Sequence, residues 1–197
     1  SIYHLDYDIG QSIILAIGIS AFISFLIGFL ALRTIGVSFM IVTLMFSQIA
    51  YLSILYFGSI TRGDEGFVIQ QSSRIFFSLD LSNPTIRYYS ALLIFSLCIF
   101  INLWIAKSSF GRVLVAIREN SDRALMLGYN VQSYKLLSII ISGTISGFAG
   151  ACYGILFGYV GASFATVSYS IFPLLWVLIG GAGTVLGPLV GAIFMFY

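Results

Sequence analysis

The chain has 197 residues, 59% of them hydrophobic and 8% charged, with a formal net charge of +2. Soluble domains are about 25% charged, so this composition excludes a water-solvated globule and describes a chain solvated by lipid. The small positive charge leaves no footprint for nucleic acid, because the basic residues gather in one segment instead of covering a surface.

Taken in order, residues 1–10 are polar and aromatic, with Asp6 and Asp8 beside Tyr3 and Tyr7, as in an interfacial aromatic belt. An uncharged run over 11–32 follows, and roughly 20 apolar residues suffice to cross a hydrocarbon core of about 30 Å. Arg33-Thr34-Ile35-Gly36 interrupts it before a second uncharged run over 37–57. The break is too short for a domain, so it predicts a tight helical hairpin. Residues 58–85 form a polar interruption with Arg62, Asp64, Glu65, Arg74 and Asp80, ending at Asn83-Pro84. A third span is expected over 86–106, opening with Arg87-Tyr88-Tyr89, and a fourth over 136–160. Between them lies the basic segment 107–135. A last apolar segment, 166–197, meets Gly180-Gly181-Ala182-Gly183 after about 13 residues, too few to cross at about 1.5 Å each. The fold expected is all-α: a single polytopic transmembrane bundle of about five segments, with a glycine-rich discontinuous helix near 180–187. The chain begins at Ser1 and ends inside an apolar run at Tyr197, which reads as a fragment of a longer protein.

Lys and Arg resist translocation, so the basic segment is expected to be cytoplasmic. Alternation then places 58–85 outside and Arg33 inside. Six of the nine basic residues (Arg33, Lys107, Arg112, Arg118, Arg123 and Lys135) fall inside, and three (Arg62, Arg74 and Arg87) outside.

Several polar features stand out within the spans. Ser142, Ser146, Gly150, Gly154 and Gly158 recur every four residues, with Gly143, Gly147 and Ala151 beside them, a small-residue stripe suited to close helix packing. The same stripe would also suit a sliding surface or the wall of a path. Thr43, Ser47 and Tyr51 share a helix face, with Gln48 adjacent. Ser and Thr in membrane helices usually bond their own backbone. An amide in lipid needs partners, which makes Gln48, and less strongly Asn102, candidates for a polar path.

No catalytic set is present. His4 is the only histidine and has no carboxylate or cysteine at useful spacing. Cys98 and Cys152 lie in apolar runs without metal-ligand spacing and read as small buried residues, with neither disulfide nor metal expected. Gly180 to Gly187 lacks the Lys and hydroxyl that end a phosphate loop, so a nucleotide site is not expected there. The expected spans hold no Asp, Glu or internal Lys or Arg, which disfavours an ion-driven carrier.

Four motifs resemble the permease subunits of branched-chain amino-acid ABC importers, the M-type more than the H-type. Leu32-Arg33-Thr34-Ile35-Gly36-Val37-Ser38-Phe39-Met40-Ile41-Val42-Thr43-Leu44 is similar to L-R-x-x-G-x-Y-F-A-I-V-T-L, with Ser38 in place of the usual aromatic. Thr61 to Gly66 resembles T-G-G-x-x-G, with Arg62 where glycine is common. Gly111-Arg112, then Ala116-Ile117-Arg118-Glu119-Asn120, Gly128-Tyr129-Asn130-Val131 and Tyr134-Lys135-Leu136 follow the family's basic loop. Gly180-Gly181-Ala182-Gly183-Thr184-Val185-Leu186-Gly187-Pro188-Leu189-Val190-Gly191-Ala192 follows G-G-x-G-x-x-x-G-P-x-x-G-A.

The resemblance implies a multi-pass bacterial inner-membrane permease in contact with lipid, paired with a second permease subunit as a heterodimer. It also implies two cytoplasmic ATPase subunits and an extracytoplasmic substrate-binding protein; Thr61-Arg62-Gly63-Asp64-Glu65-Gly66 reads by composition as a solvated turn or, alternatively, as a surface on which an extracytoplasmic protein docks. No cofactor is expected in this chain, since ATP and Mg would sit on the ATPases. Coupling to them falls to Gly111, Arg112, Arg118, Glu119, Asp122, Arg123 and Gly128. The broken helix would be formed by Gly180, Gly181, Gly183, Gly187 and Pro188. Branched-chain or other hydrophobic amino acids are the expected cargo. Relatives carrying urea or short amides, a secondary carrier and a non-transporting scaffold are the alternatives.

Overall fold

The computed structural model describes residues 9–63, 65–68, 75–76, 79–80 and 83–196; His4, Asp6, Asp8, Asp64 and Arg74 lie outside them. The described chain is helical almost throughout, because in lipid each backbone N–H and C=O must be paired inside its own segment. The helices are α1 (Ile9–Ala31), α2 (Val37–Tyr56), α3 (Gly58–Thr61), α4 (Pro84–Lys107), α5 (Ser109–Glu119), α6 (Ser121–Met126), α7 (Val131–Phe157), α8 (Val167–Gly180) and α9 (Gly187–Phe196). Four of them, α1, α2, α4 and α7, are long and apolar enough to cross a membrane. Two-residue strands occur at Phe67–Val68, Ile75–Phe76, Leu79–Asp80 and Tyr159–Val160. Ile75–Phe76 and Leu79–Asp80 pair antiparallel.

Large apolar side chains on the spans are exposed, among them Ile14 at 70%, Phe100 at 71% and Trp104 at 71%. Such faces would cost free energy in water but none against lipid tails. This is a polytopic membrane chain.

Contacts divide it into two units, Ser1–Ile35 with Val68–Tyr159, and Gly36–Phe67 with Val160–Tyr197. In the first unit the main helix pair is α1 with α7. Within the expected small-residue stripe, Ser142 borders α1 beside Ser24 and Ile27 but does not make the tightest contact. The approach falls one residue along, at Gly143 and Gly147, where a side-chain carbon would collide with Ser24 and Ser20 of α1. Helix α1 carries the complementary stripe, Ser20, Ser24 and Gly28, the last packed at 3.1 Å from where its missing Cβ would meet Leu136 and Ile139. Gly150 faces open space. Gly154 is buried, and Gly158 lies beyond the helix as its left-handed cap, with φ 69°. The opposite end of α7 places Ile155 and Leu156 against Ile13, Ile86, Ala91 and Ile94.

Helix α7 starts at Val131 instead of near Leu136. The Asn130 side chain accepts from the Ser133 N–H at 3.1 Å and starts the helix there. At 27 residues and about 1.5 Å each, α7 runs well past the hydrocarbon core, so its polar first turn stands in the interface.

In the second unit, α8 and α9 form a hairpin that takes the place of a full span. Helix α8 has 14 residues, contains Pro173 and ends where Gly181 takes φ 99°. A Cβ on Gly180 would run into the Gly187 carbonyl, and one on Gly191 into the Trp176 carbonyl. Backbone touches backbone at both points. Gly180→Ala should therefore lower stability by about 1–3 kcal/mol, read as a fall in the detergent melting temperature. Thr61 fixes the turn that follows α2. Its hydroxyl donates to the Ile54 carbonyl at 2.5 Å and accepts from the Gly63 N–H at 3.2 Å. Thr61→Val keeps the shape but strands both groups, and should cost about 1 kcal/mol in the same assay. Arg62 follows in the left-handed region at φ 57°, with its guanidinium 5.8 Å from the Phe67 ring centre. That backbone geometry is the physical reason glycine suits the position.

Candidate functional site

The basic segment 107–135 is not a loop but two short helices between two long ones, each boundary set by a capping side chain. The Ser108 hydroxyl accepts from the Gly111 N–H at 3.2 Å and opens α5. At this corner Gly111 is irreplaceable, because a Cβ would sit 2.5 Å from the Ile105 carbonyl and closer still to that of Ala106. Asn120 ends α5 and opens α6, its Oδ1 accepting from the Asp122 and Arg123 N–H groups at 3.1 and 3.0 Å. Helix α6 closes on Gly128, φ 88°. The Gly128 N–H reaches the Leu125 carbonyl at 3.0 Å and the Tyr129 N–H reaches that of Ala124 at 3.2 Å, the paired bonds of a Schellman end.

The inward face of this segment is apolar. Ile117, Ala124 and Val131 are buried together, with Val113 and Tyr134 against them. Tyr134 stacks on Phe110 at 5.7 Å and meets Tyr129 edge-on at 5.9 Å. The outward face carries the charges. Arg112 donates to the Lys107 carbonyl at 3.0 Å and to the Ser109 hydroxyl at 3.4 Å. Arg118 pairs with Glu119 at 3.1 Å, both side chains mostly exposed. Asp122 and Arg123 are also exposed. Leu125, Met126 and Leu127, between Arg123 and Gly128, are 65%, 84% and 75% exposed beside these charges.

The polar residues of the spans separate into two groups. In the second unit, the Ser47 hydroxyl lies 3.2 Å from that of Ser170 and 3.4 Å from the Ala165 carbonyl, joining α2 to α8 and to the turn before it. Thr43 instead bonds its own helix, donating to Met40 at 2.8 Å. Gln48 is half-buried and has no hydrogen-bond partner among the described residues.

In the first unit, Asn102 and Ser142 and Ser146 come together. They line a cleft of about 210 Å3 between α4 and α7 with Ser138, Ile105, Phe110 and Ile145. Asn102 donates to the Cys98 carbonyl at 2.8 Å. The Ser138, Ser142 and Ser146 hydroxyls find no partner among the described residues, whereas nearby Thr144 bonds Ile140 at 2.6 Å. The cleft thus presents serine hydroxyls and an amide along its walls. Cys152 is buried, Cys98 half-buried, and both are free thiols.

Comparison with known proteins gives a consistent picture. The family described as branched-chain amino acid transport system / permease component matches residues 5–197. The high-affinity branched-chain amino acid transport system permease protein LivM of Salmonella typhimurium is 28% identical over 90% of this chain and 47% of its own length. LivM of Escherichia coli is 29% identical over 87% of this chain and 45% of its length. The autoinducer 2 import system permease protein LsrC of Photorhabdus luminescens is 28% identical over 47% of this chain and 30% of its length. The chain spans about half the length of the LivM proteins it matches. No solved structure matches it.

Proposed function

Because the chain belongs to the family of branched-chain amino-acid transport permeases, we propose that it forms the membrane path of an ATP-driven importer. Its cargo is branched-chain or other hydrophobic amino acids, carried into the cytoplasm. ATP and Mg are handled by two separate ATPase subunits, a second permease subunit completes the membrane part, and an extracytoplasmic binding protein delivers substrate.

The observation that carries this reading is the capped helix pair α5–α6, lying inside the family match and held at both ends. Helix α5 is tied to α4 through the Gly111 corner, and α6 to α7 through the Gly128 end. A push on the exposed face of α5–α6 is then carried into α4 and α7 instead of being absorbed by a slack loop. Those two helices are the walls of the Asn102–Ser142–Ser146 cleft, so a shift between them changes the cleft's width. The charges of Arg112, Arg118, Glu119, Asp122 and Arg123 orient the ATPase, while Leu125, Met126 and Leu127 supply apolar contact, as an interface core within a polar rim requires.

The test is uptake of labelled leucine into proteoliposomes holding the full-length protein, its partner permease, the ATPases and the binding protein. ATP-dependent accumulation is expected. Accumulation driven by an ion gradient without ATP would support a secondary carrier, and none under any condition would support a scaffold.

A further inference from the structure

A second site lies away from the cleft, where α1 ends and α7 begins. A cavity of about 370 Å3 opens there, lined by Phe29, Leu32, Arg33, Gln132, Ser133 and Leu136. Its polar lining is a guanidinium, an amide and a hydroxyl, without a carboxylate. Arg33 forms no ion pair among the described residues, and its guanidinium stands 5.4 Å from the centre of the Phe29 ring. Phe29 stacks in turn on Phe25, ring centres 6.3 Å apart, one helical turn deeper along α1. Both aromatic side chains are substantially exposed, Phe29 at 52% and Phe25 at 42%.

Arg33 lies two residues past the end of a 23-residue apolar helix, so the cavity sits at headgroup level and its apolar wall descends into the acyl region. We infer that this cavity binds an anionic phospholipid. The phosphate pairs with Arg33 and accepts hydrogen bonds from Gln132 and Ser133, while an acyl chain lies along Leu32, Phe29 and Phe25. Basic pockets between membrane helices take such headgroups, and each basic residue near the surface contributes about 1 kcal/mol. An inorganic phosphate would satisfy the polar wall but leave the apolar one uncovered, which selects the lipid. The inference is independent of what the protein transports.

The experiment is native mass spectrometry of the full chain in neutral detergent, titrated with phosphatidylglycerol, phosphatidylcholine or inorganic phosphate. Phosphatidylglycerol should bind about fivefold more tightly than phosphatidylcholine. Arg33→Gln should erase that preference, and Lys135→Gln, which removes an equal charge outside the cavity, should leave it. Ser133→Asp, with Arg33 intact, should also erase it and serves if the arginine variant does not purify. Equal losses in the Arg33 and Lys135 variants would overturn the site in favour of diffuse charge attraction. Equal binding of the two lipids, displacement by inorganic phosphate, or an unchanged preference in Ser133→Asp would overturn it as well.

Discussion

Replacing Gly147 with leucine should separate α1 from α7 and destabilise the chain by about 3 kcal/mol or more, the range of severe overpacking in a closed interface. A Cβ at Gly147 already overlaps the Ser20 side chain and lies 3.6 Å from the Ala16 carbonyl, so it meets α1's backbone as well as a movable hydroxyl. Three further side-chain carbons have no volume to enter unless the helices part. In the membrane that separation forfeits van der Waals contact that no hydrophobic effect restores. Gly150→Ala, one turn further along the same helix, has nothing within 4 Å of its new Cβ and should gain up to about 1 kcal/mol from helix propensity. Detergent melting of the two variants checks both. Equal effects from both would show that the α1 contact is not where the glycines matter.

Gly128→Pro and Arg118→Glu should each reduce leucine uptake at least about tenfold while the chain still inserts and purifies. Their causes differ. Gly128 combines φ 88° with an N–H bonded to Leu125 at 3.0 Å, and proline can supply neither. The α6–α7 joint then loosens and a push on α6 is not carried into α7. Gly128→Asn, which tolerates a left-handed backbone, should retain more uptake than the proline variant. Arg118 is an exposed partner of Glu119, and such pairs contribute at most about 1 kcal/mol to stability. A large loss from its reversal must therefore come from a partner surface. Normal uptake in either variant would end the coupling assignment, and a loss matched by failure to insert would reassign the residue to folding.

Much of the architecture was legible in advance because lipid imposes a simple rule on long uncharged runs. Such runs must be helices, and α1, α2 and α4 lie where those runs lie. The glycine-rich break before Pro188 was readable for the same reason, since α8 at 14 residues cannot reach across. The joints were harder. The basic segment contains three helix starts, at Ser108, Asn120 and Asn130, and capping hydrogen bonds are short-range events that hydropathy does not register.

The small-residue stripe shows the boundary between the two kinds of information most clearly. Composition and spacing determined that α7 would carry a smooth face, because only Gly, Ala and Ser permit close backbone approach. They could not select among adjacent registers, since Ser142–Ser146 and Gly143–Gly147 have the same period. The selection belongs to α1, whose Ser20 and Ser24 meet Gly143 and Gly147, leaving Ser146 to the cleft with Asn102 and Ser142 at the edge of both. A period belongs to one helix and is written in its residues, whereas the face a helix buries depends on the partner that arrives.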